Sequence, residues 1–127
     1  IIYWINRENI SIHILIYTFT LNSVGDALIN ARNRGVEVKV VFEKGQMSQY
    51  SEYQRLKAAG IGVRNDTNSN LMHNKIMIVD STIVLTGSFN WSTSAEEYNN
   101  ENLRIIKSTY IAIIYNQEFE KTWNESV

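Results

Sequence analysis

Two short apolar runs decide the fold: Ser11-Ile12-His13-Ile14-Leu15-Ile16-Tyr17 and Val36-Glu37-Val38-Lys39-Val40-Val41-Phe42. Both are rich in β-branched residues, the composition of strands that are largely buried. The chain between them has helical spacing. Val24, Leu28 and Ala31 recur on one side, Ser23 with Asp26 three residues later reads as a capping box, and Gly35 is placed to stop the helix. A strand–helix–strand unit of this kind predicts a parallel pair.

Working outward, Ile2, Ile5 and Arg7 belong to an opening helix. A further helix is expected from Met47 to Ala59, ended by Gly60, and leads into the strand-like Ile61-Gly62-Val63-Arg64. Lys75–Asp80 and Ile83–Ser88 read as two strands joined by a tight turn around Asp80-Ser81-Thr82, and Glu101–Lys107 as a last strand. From Ser108 a terminal helix carries Ile111, Tyr115, Phe119 and Trp123 at successive i+4 positions, one apolar stripe that reads as a core face. The expected architecture is α/β: a mixed, mainly parallel β-sheet flanked by helices.

The 127 residues, 44% of them hydrophobic, suit a single domain over positions 1–127. Cysteine is absent, which excludes disulfides, thiol catalysis and cysteine-based zinc sites. Twelve Lys and Arg against thirteen Asp and Glu give a net charge of −1, so a broad phosphate-gripping surface is not expected, only a local patch. No apolar run approaches the roughly 18 residues of a membrane span. No membrane-docking surface is readable either, so a membrane is not an expected partner. The start, Ile1-Ile2-Tyr3-Trp4-Ile5, has neither an initiator Met nor the form of a signal peptide, and reads as the beginning of an excised or processed domain. The sequence does not distinguish an extracytoplasmic from a cytoplasmic location.

The chemistry concentrates in His73-Asn74-Lys75-Ile76-Met77-Ile78-Val79-Asp80 and Gly87-Ser88-Phe89-Asn90-Trp91-Ser92, the pattern H-x-K-x4-D-x6-G-S-x-N. On a strand, residues two apart share a face, so His73 pairs with Lys75 and Ser88 with Asn90. Strands about 4.8 Å apart bring two such pairs to either side of a phosphate-sized gap. A histidine supplies a nucleophile or a proton donor, and a lysine supplies a fixed cation. Ser88 Oγ and Asn90 Nδ2 donate to the non-bridging oxygens as charge builds. Glu101 is the carboxylate suited to hold the second imidazole nitrogen. Asp80 has the opposite parity and is expected in the turn or in a structural hydrogen bond. Metal-dependent hydrolysis fits poorly, because His73 has no second histidine or cysteine at ligand spacing. Glu96-Glu97 reads as a charged surface turn. No metal and no cofactor are expected.

This pattern resembles the signature of the phospholipase D superfamily, a group of metal-independent phosphodiesterases, and is most similar to its small single-motif nucleases. Ile16-Tyr17-Thr18-Phe19-Thr20 and Glu118-Phe119 through Trp123 add to the likeness, which covers most of the chain. It implies a phospholipase D-like α/β/α sandwich, with a further strand before the first helix that this sequence lacks. It also implies that one histidine attacks phosphorus to form a phosphohistidine, a second protonates the leaving oxygen, and water then releases the product. The positions matching the signature are His73, Lys75, Asp80, Ser88, Asn90 and Glu101. The only other histidine, His13, is followed by Leu15 where a lysine would be needed, and reads as a packed core residue. Two histidines at one phosphorus must then come from two chains, and a homodimer sharing one active site on its two-fold axis is expected.

The leading expectation is a non-specific endonuclease acting on DNA or RNA. The alternatives are a phospholipid phosphodiesterase of the same superfamily and a phosphate-binding or dimerisation module without catalysis. Trp91 suits base stacking or a dimer contact. Lys44, Tyr50 and Tyr53 follow the end of a strand, where they either line a substrate groove or pack.

Overall fold

The computed structural model describes residues 2–7, 10–16, 22–43, 52–66, 76–87 and 103–126. Within them lie the strands β1 (Ser11–Ile16), β2 (Glu37–Glu43), β3 (Gly62–Asp66), β4 (Ile76–Val79), β5 (Ile83–Gly87) and β6 (Leu103–Lys107). The helices are α1 (Ile2–Ile5), α2 (Asn22–Asn33), α3 (Tyr53–Ala58) and α4 (Thr109–Glu125). The strands form one sheet in the order β3-β2-β1-β4-β5-β6.

The expected mixed sheet flanked by helices is what the chain adopts. Parallel pairing joins β1 to β2 and β2 to β3, as the strand–helix–strand reading required. The pairings β1–β4, β4–β5 and β5–β6 are antiparallel, so antiparallel pairs outnumber parallel ones among the described strands. The reason is local: β4 returns alongside β1 in the opposite sense, and a three-residue turn, Asp80-Ser81-Thr82, sends β5 straight back along it.

Strict alternation along the strands supplies two cores. Ile12, Ile14, Ile16, Val38, Val40, Phe42, Met77, Val79 and Leu85 face α1, α2 and α3, where Trp4, Ile5, Leu28 and Leu56 meet them. Leu15, Val41, Ile76, Ile78 and Val84 face the other way and pack on Ala112 and Phe119 of α4. The i+4 stripe of α4 is therefore its core face, with Ile111, Tyr115 and Trp123 partly buried around Phe119. Ser108 caps that helix, its Oγ accepting from Ile111 N at 3.2 Å.

Helix ends follow the glycines. Gly35 (φ +93°) and Gly60 (φ +87°) take left-handed conformations just past α2 and α3. The start of α2 departs from expectation. The helix begins at Asn22, so Ser23 lies inside its first turn and does not cap it, and Asp26 forms an ion pair with Arg55 of α3. Of the helix expected from Met47, residues 47–51 lie outside the described residues, and α3 itself covers Tyr53–Ala58.

His13 is indeed in the core, 5% exposed, on the α4 face of β1. Its ring stacks on Phe119 with centroids 4.6 Å apart. Nδ1 lies 2.7 Å from Asn116 Oδ1 and Nε2 3.0 Å from Glu37 Oε2, while Asn116 Nδ2 donates to Ser81 Oγ at 3.2 Å. One imidazole thus links β1, β2, α4 and the β4–β5 turn. The hydrogen bond from His13 holds the Glu37 carboxyl below its ordinary value; burial opposes the shift, and Lys39, 3.6 Å away, reinforces it.

In the β4–β5 turn Asp80 and Ser81 both have φ of +55°, in the left-handed region, and Thr82 N donates to Val79 O at 3.0 Å. Asp80 Oδ1 accepts from Ile10 N at 2.6 Å and Ser11 N at 3.0 Å, and Asp80 N donates to Ser11 O at 2.9 Å.

Two outcomes follow from these contacts. A carboxyl whose folded pKa is depressed stabilises the protein above its unfolded pKa, and that contribution disappears as pH falls through the folded value. Glu37→Gln should therefore be less stable than wild type at neutral pH. The gap should close below about pH 4, the ordinary carboxylate range, in urea titrations across pH. Asp80→Ala removes two charge-assisted hydrogen bonds and leaves Ala in a left-handed conformation, so its urea midpoint should drop by the equivalent of about 2 kcal/mol at unchanged slope.

Candidate active site

The sheet has two opposite edges at which strands stop. At one edge β1 ends at Ile16 opposite Phe42, and β2 ends one residue later at Glu43, opposite Asp66 at the end of β3. Ile76, the first residue of β4, pairs there with Thr86, and Gly87, the last of β5, pairs with Leu103, the first of β6. These termini are held by residues buried on both faces of the sheet, which fixes their relative positions.

Lys75 immediately precedes Ile76 in sequence, and His73 stands two residues further back. Ser88 follows Gly87, Asn90 lies three residues past it, and Glu101 comes two before Leu103. The sequence thus runs from these strand ends into the five positions. The five residues themselves lie outside the described residues. So do Lys44, Tyr50, Trp91, Glu96 and Glu97.

Asp80 is the sixth motif position, and it lies at the opposite edge. Four residues of β4, roughly 13 Å of strand, separate it from the end that leads to Lys75. Its carboxylate is engaged by the backbone N–H groups of Ile10 and Ser11. The structure therefore assigns it the task of joining the β4–β5 turn to the start of β1. Tyr53 does not line a groove: it is buried, edge-on to Phe42 with centroids 5.4 Å apart.

Two features near the motif-bearing edge had no sequence signal. The first is a charged knot where α2 meets α3. Arg55 Nη1 donates to Glu52 Oε1 at 2.5 Å and to Asn22 O at 3.2 Å, and Arg55 Nη2 pairs with Asp26. Glu52 is 3% exposed, and burial pushes its carboxyl above the ordinary range. Glu52 packs so closely against Gly25 that a Cβ there would collide with its carboxylate. Glu52 and Arg55 stand at helical i,i+3 spacing, but nothing in the sequence reveals Gly25 as their neighbour. The second feature is a groove of about 720 Å³ lined by Ile76, Ile114, Tyr115, Gln117, Glu118 and Lys121. It forms only when α4 crosses the start of β4. Among the described residues, no three His, Asp or Glu side chains gather as a metal site would require.

Comparison with known proteins bears on the same region. The family profile described as cardiolipin synthase, PLD-like domain, matches residues 1–123. The mitochondrial cardiolipin hydrolase of Xenopus tropicalis is 38% identical over 120 residues, covering 94% of this chain and 57% of that protein. The phospholipase D of Rickettsia prowazekii is 35% identical over 130 residues, covering all of this chain and 63% of that one. The chain thus spans less than two thirds of the length of these relatives. Among solved structures, the phospholipase D family member Nuc from Salmonella typhimurium superposes with a TM-score of 0.93 at 32% identity, over 99% of this chain and 86% of Nuc. NucT from Helicobacter pylori gives 0.90 at 25% identity, with the same coverage. Fold, family profile and relatives agree, and the chain belongs to the phospholipase D superfamily of phosphodiesterases.

Proposed function

We propose that this phosphodiesterase hydrolyses the phosphodiester bonds of nucleic acid without a metal, as an endonuclease whose active site is shared by two protomers. The observation that carries the reading is that the start of β4, the end of β5 and the start of β6 meet at one edge of the sheet. Supporting it are the ends of β4, β5 and β6, held in register, from which the sequence continues toward His73, Lys75, Ser88, Asn90 and Glu101. The likeness to Nuc, over 99% of this chain and 86% of that one, supports the reading.

In the proposed reaction the imidazole of one protomer's His73 attacks phosphorus. A P–N bond forms as the bond to the leaving sugar oxygen breaks. The second protomer's His73 gives its proton to that oxygen, then takes a proton from water, which attacks the phosphohistidine and restores the first imidazole. Lys75, Ser88 and Asn90 hold the non-bridging oxygens where negative charge accumulates, and Glu101 orients the imidazole.

The curated relatives favour a second reading. Their names, cardiolipin hydrolase and phospholipase D, make a phospholipid phosphodiester the competing substrate of the same site.

Supercoiled plasmid and single-stranded RNA, each incubated in excess EDTA with wild type and with His73→Ala, separate these readings. Cleavage by wild type alone is the expected result. Release of phosphatidate from cardiolipin vesicles with both polymers intact would give the site to lipid. Lys75→Ala and Asn90→Ala should each cost on the order of a hundredfold in rate, the usual loss of a transition-state donor. Retained activity in either would mean that the phosphate sits elsewhere.

The shared site has its own consequence. Specific activity should fall as the protein is diluted through its dimer dissociation constant, because a lone protomer has one catalytic histidine. A sedimenting monomer with full activity would overturn the dimer.

A further inference from the structure

We propose that His13 carries a proton on each ring nitrogen in the folded protein, forming a charged clasp among β1, β2, α4 and the β4–β5 turn that opens as pH rises. Both nitrogens face acceptors: Nδ1 lies 2.7 Å from Asn116 Oδ1, and Nε2 lies 3.0 Å from Glu37 Oε2. A neutral imidazole has one N–H and serves only one of them, whereas the imidazolium has two. The Asn116 amide makes a second bond of its own, Nδ2 donating to Ser81 Oγ at 3.2 Å, which turns Oδ1 toward the ring. The opposite amide orientation would give Nδ1 a donor and a neutral ring.

Burial works against a charge here, since His13 is 5% exposed. Its neighbours offset that cost. Glu37 keeps its carboxylate partly in solvent, and the hydrogen bond from His13 holds that carboxyl below its ordinary value, so it is ionised at neutral pH. Phe119 lies flat on the imidazole, 4.6 Å between centroids and 11° between planes, and sets the electron-rich face of its ring against the cation.

Few other charged groups stand around the ring among the described residues. On β2, Lys39 opposes a second cation, but its Nζ is 3.6 Å from the other Glu37 oxygen, Oε1, and 5.3 Å from the Trp123 ring. On β4, Ile78 lies opposite His13. In the turn, Asp80 is engaged by the N–H groups of Ile10 and Ser11. On α4, Glu120 follows Asn116 by one helical turn.

Loss of one proton leaves a lone pair facing an acceptor. The remaining N–H stays with Glu37, because a hydrogen bond to a charged acceptor is the stronger one. The bond to Asn116 is the one given up, and the middle of α4 is then released from β1 while Phe119 stays packed.

The chain has two histidines, so the ring signals that survive in His73→Asn belong to His13. Long-range 1H–15N spectra of the folded wild type at about pH 7.5, where a free histidine is roughly nine-tenths neutral, test the clasp. His13 should show two protonated nitrogens with similar shifts. One bare nitrogen, its shift far from that of the other, would overturn the proposal. Glu37→Gln keeps the shape of the acceptor without its charge, and its His13 should turn neutral at lower pH than in wild type. An unchanged titration would count equally against the clasp.

Stability carries the same signature. A folded state that keeps a proton which the unfolded chain has released loses stability as pH rises. Above about pH 7, and until the clasp opens, the unfolding constant of wild type should rise by up to about tenfold per pH unit relative to His13→Gln in urea titrations. A ratio that stays constant from about pH 6 to 9 would sink the idea. If His13→Gln fails to fold, the wild-type spectrum alone decides. None of these outcomes depends on the chemistry proposed for His73.

Discussion

Everything in this fold hangs on the pairing of β4 with β1. Ile76–Val79 is only four residues long, yet all four are buried and both of its edges are hydrogen-bonded, to β1 on one side and β5 on the other. It is the seam between two differently built halves: a parallel β1–β2–β3 unit wound through helices, and an antiparallel β4–β5–β6 unit. Because β4 runs against β1, its beginning meets the end of β1. Had it entered parallel, the chain carrying the His-x-Lys would have been delivered to the opposite edge, away from the ends of β1 and β2. The hydrophobic effect enforces this seam. Met77 and Val79 belong to one core while Ile76 and Ile78 belong to the other, so a one-residue slip would exchange every side chain between them.

Much of this was legible in the sequence because the strands are dense in β-branched residues and the helices stop at glycines. Gly35 and Gly60 act where expected, since only glycine enters the left-handed region without a steric cost. The turn at Asp80-Ser81 was also legible, although neither residue is glycine. The short polar side chain of Asp80 tolerates the left-handed conformation and finds partners in the backbone of β1. The start of α2 was misread because Ser23 and Asp26 fit a capping pattern on paper, whereas Asp26 gains more from the guanidinium of Arg55. That competition is tertiary, and no local pattern contains it. The balance of parallel and antiparallel pairing was likewise set by where β4 inserts, which spacing alone does not state.

The candidate site was legible in a different way. Its residues are proposed from chemistry and spacing, and in sequence the two segments of the motif adjoin the ends of β4 and β5, which are paired strands. The groove beside Ile76 and the knot of Glu52, Arg55 and Asp26 were invisible because each is assembled from several elements.

The hairpin turn also bears on the order in which the chain folds. Asp80, Ser81 and Thr82 form a three-residue loop between β4 and β5, and hairpin closure is an event on the scale of microseconds. The pairing of β1 with β4 joins Ile12 to Val79, and the bond from Ile10 N to the Asp80 carboxylate spans 70 positions. Closing so long a loop carries a large entropic cost before any contact repays it. The slow step of folding therefore lies in bringing the first strand to a hairpin that is already formed. The carboxylate of Asp80 waits at the tip of that hairpin, and the two N–H groups at the start of β1 are its docking points.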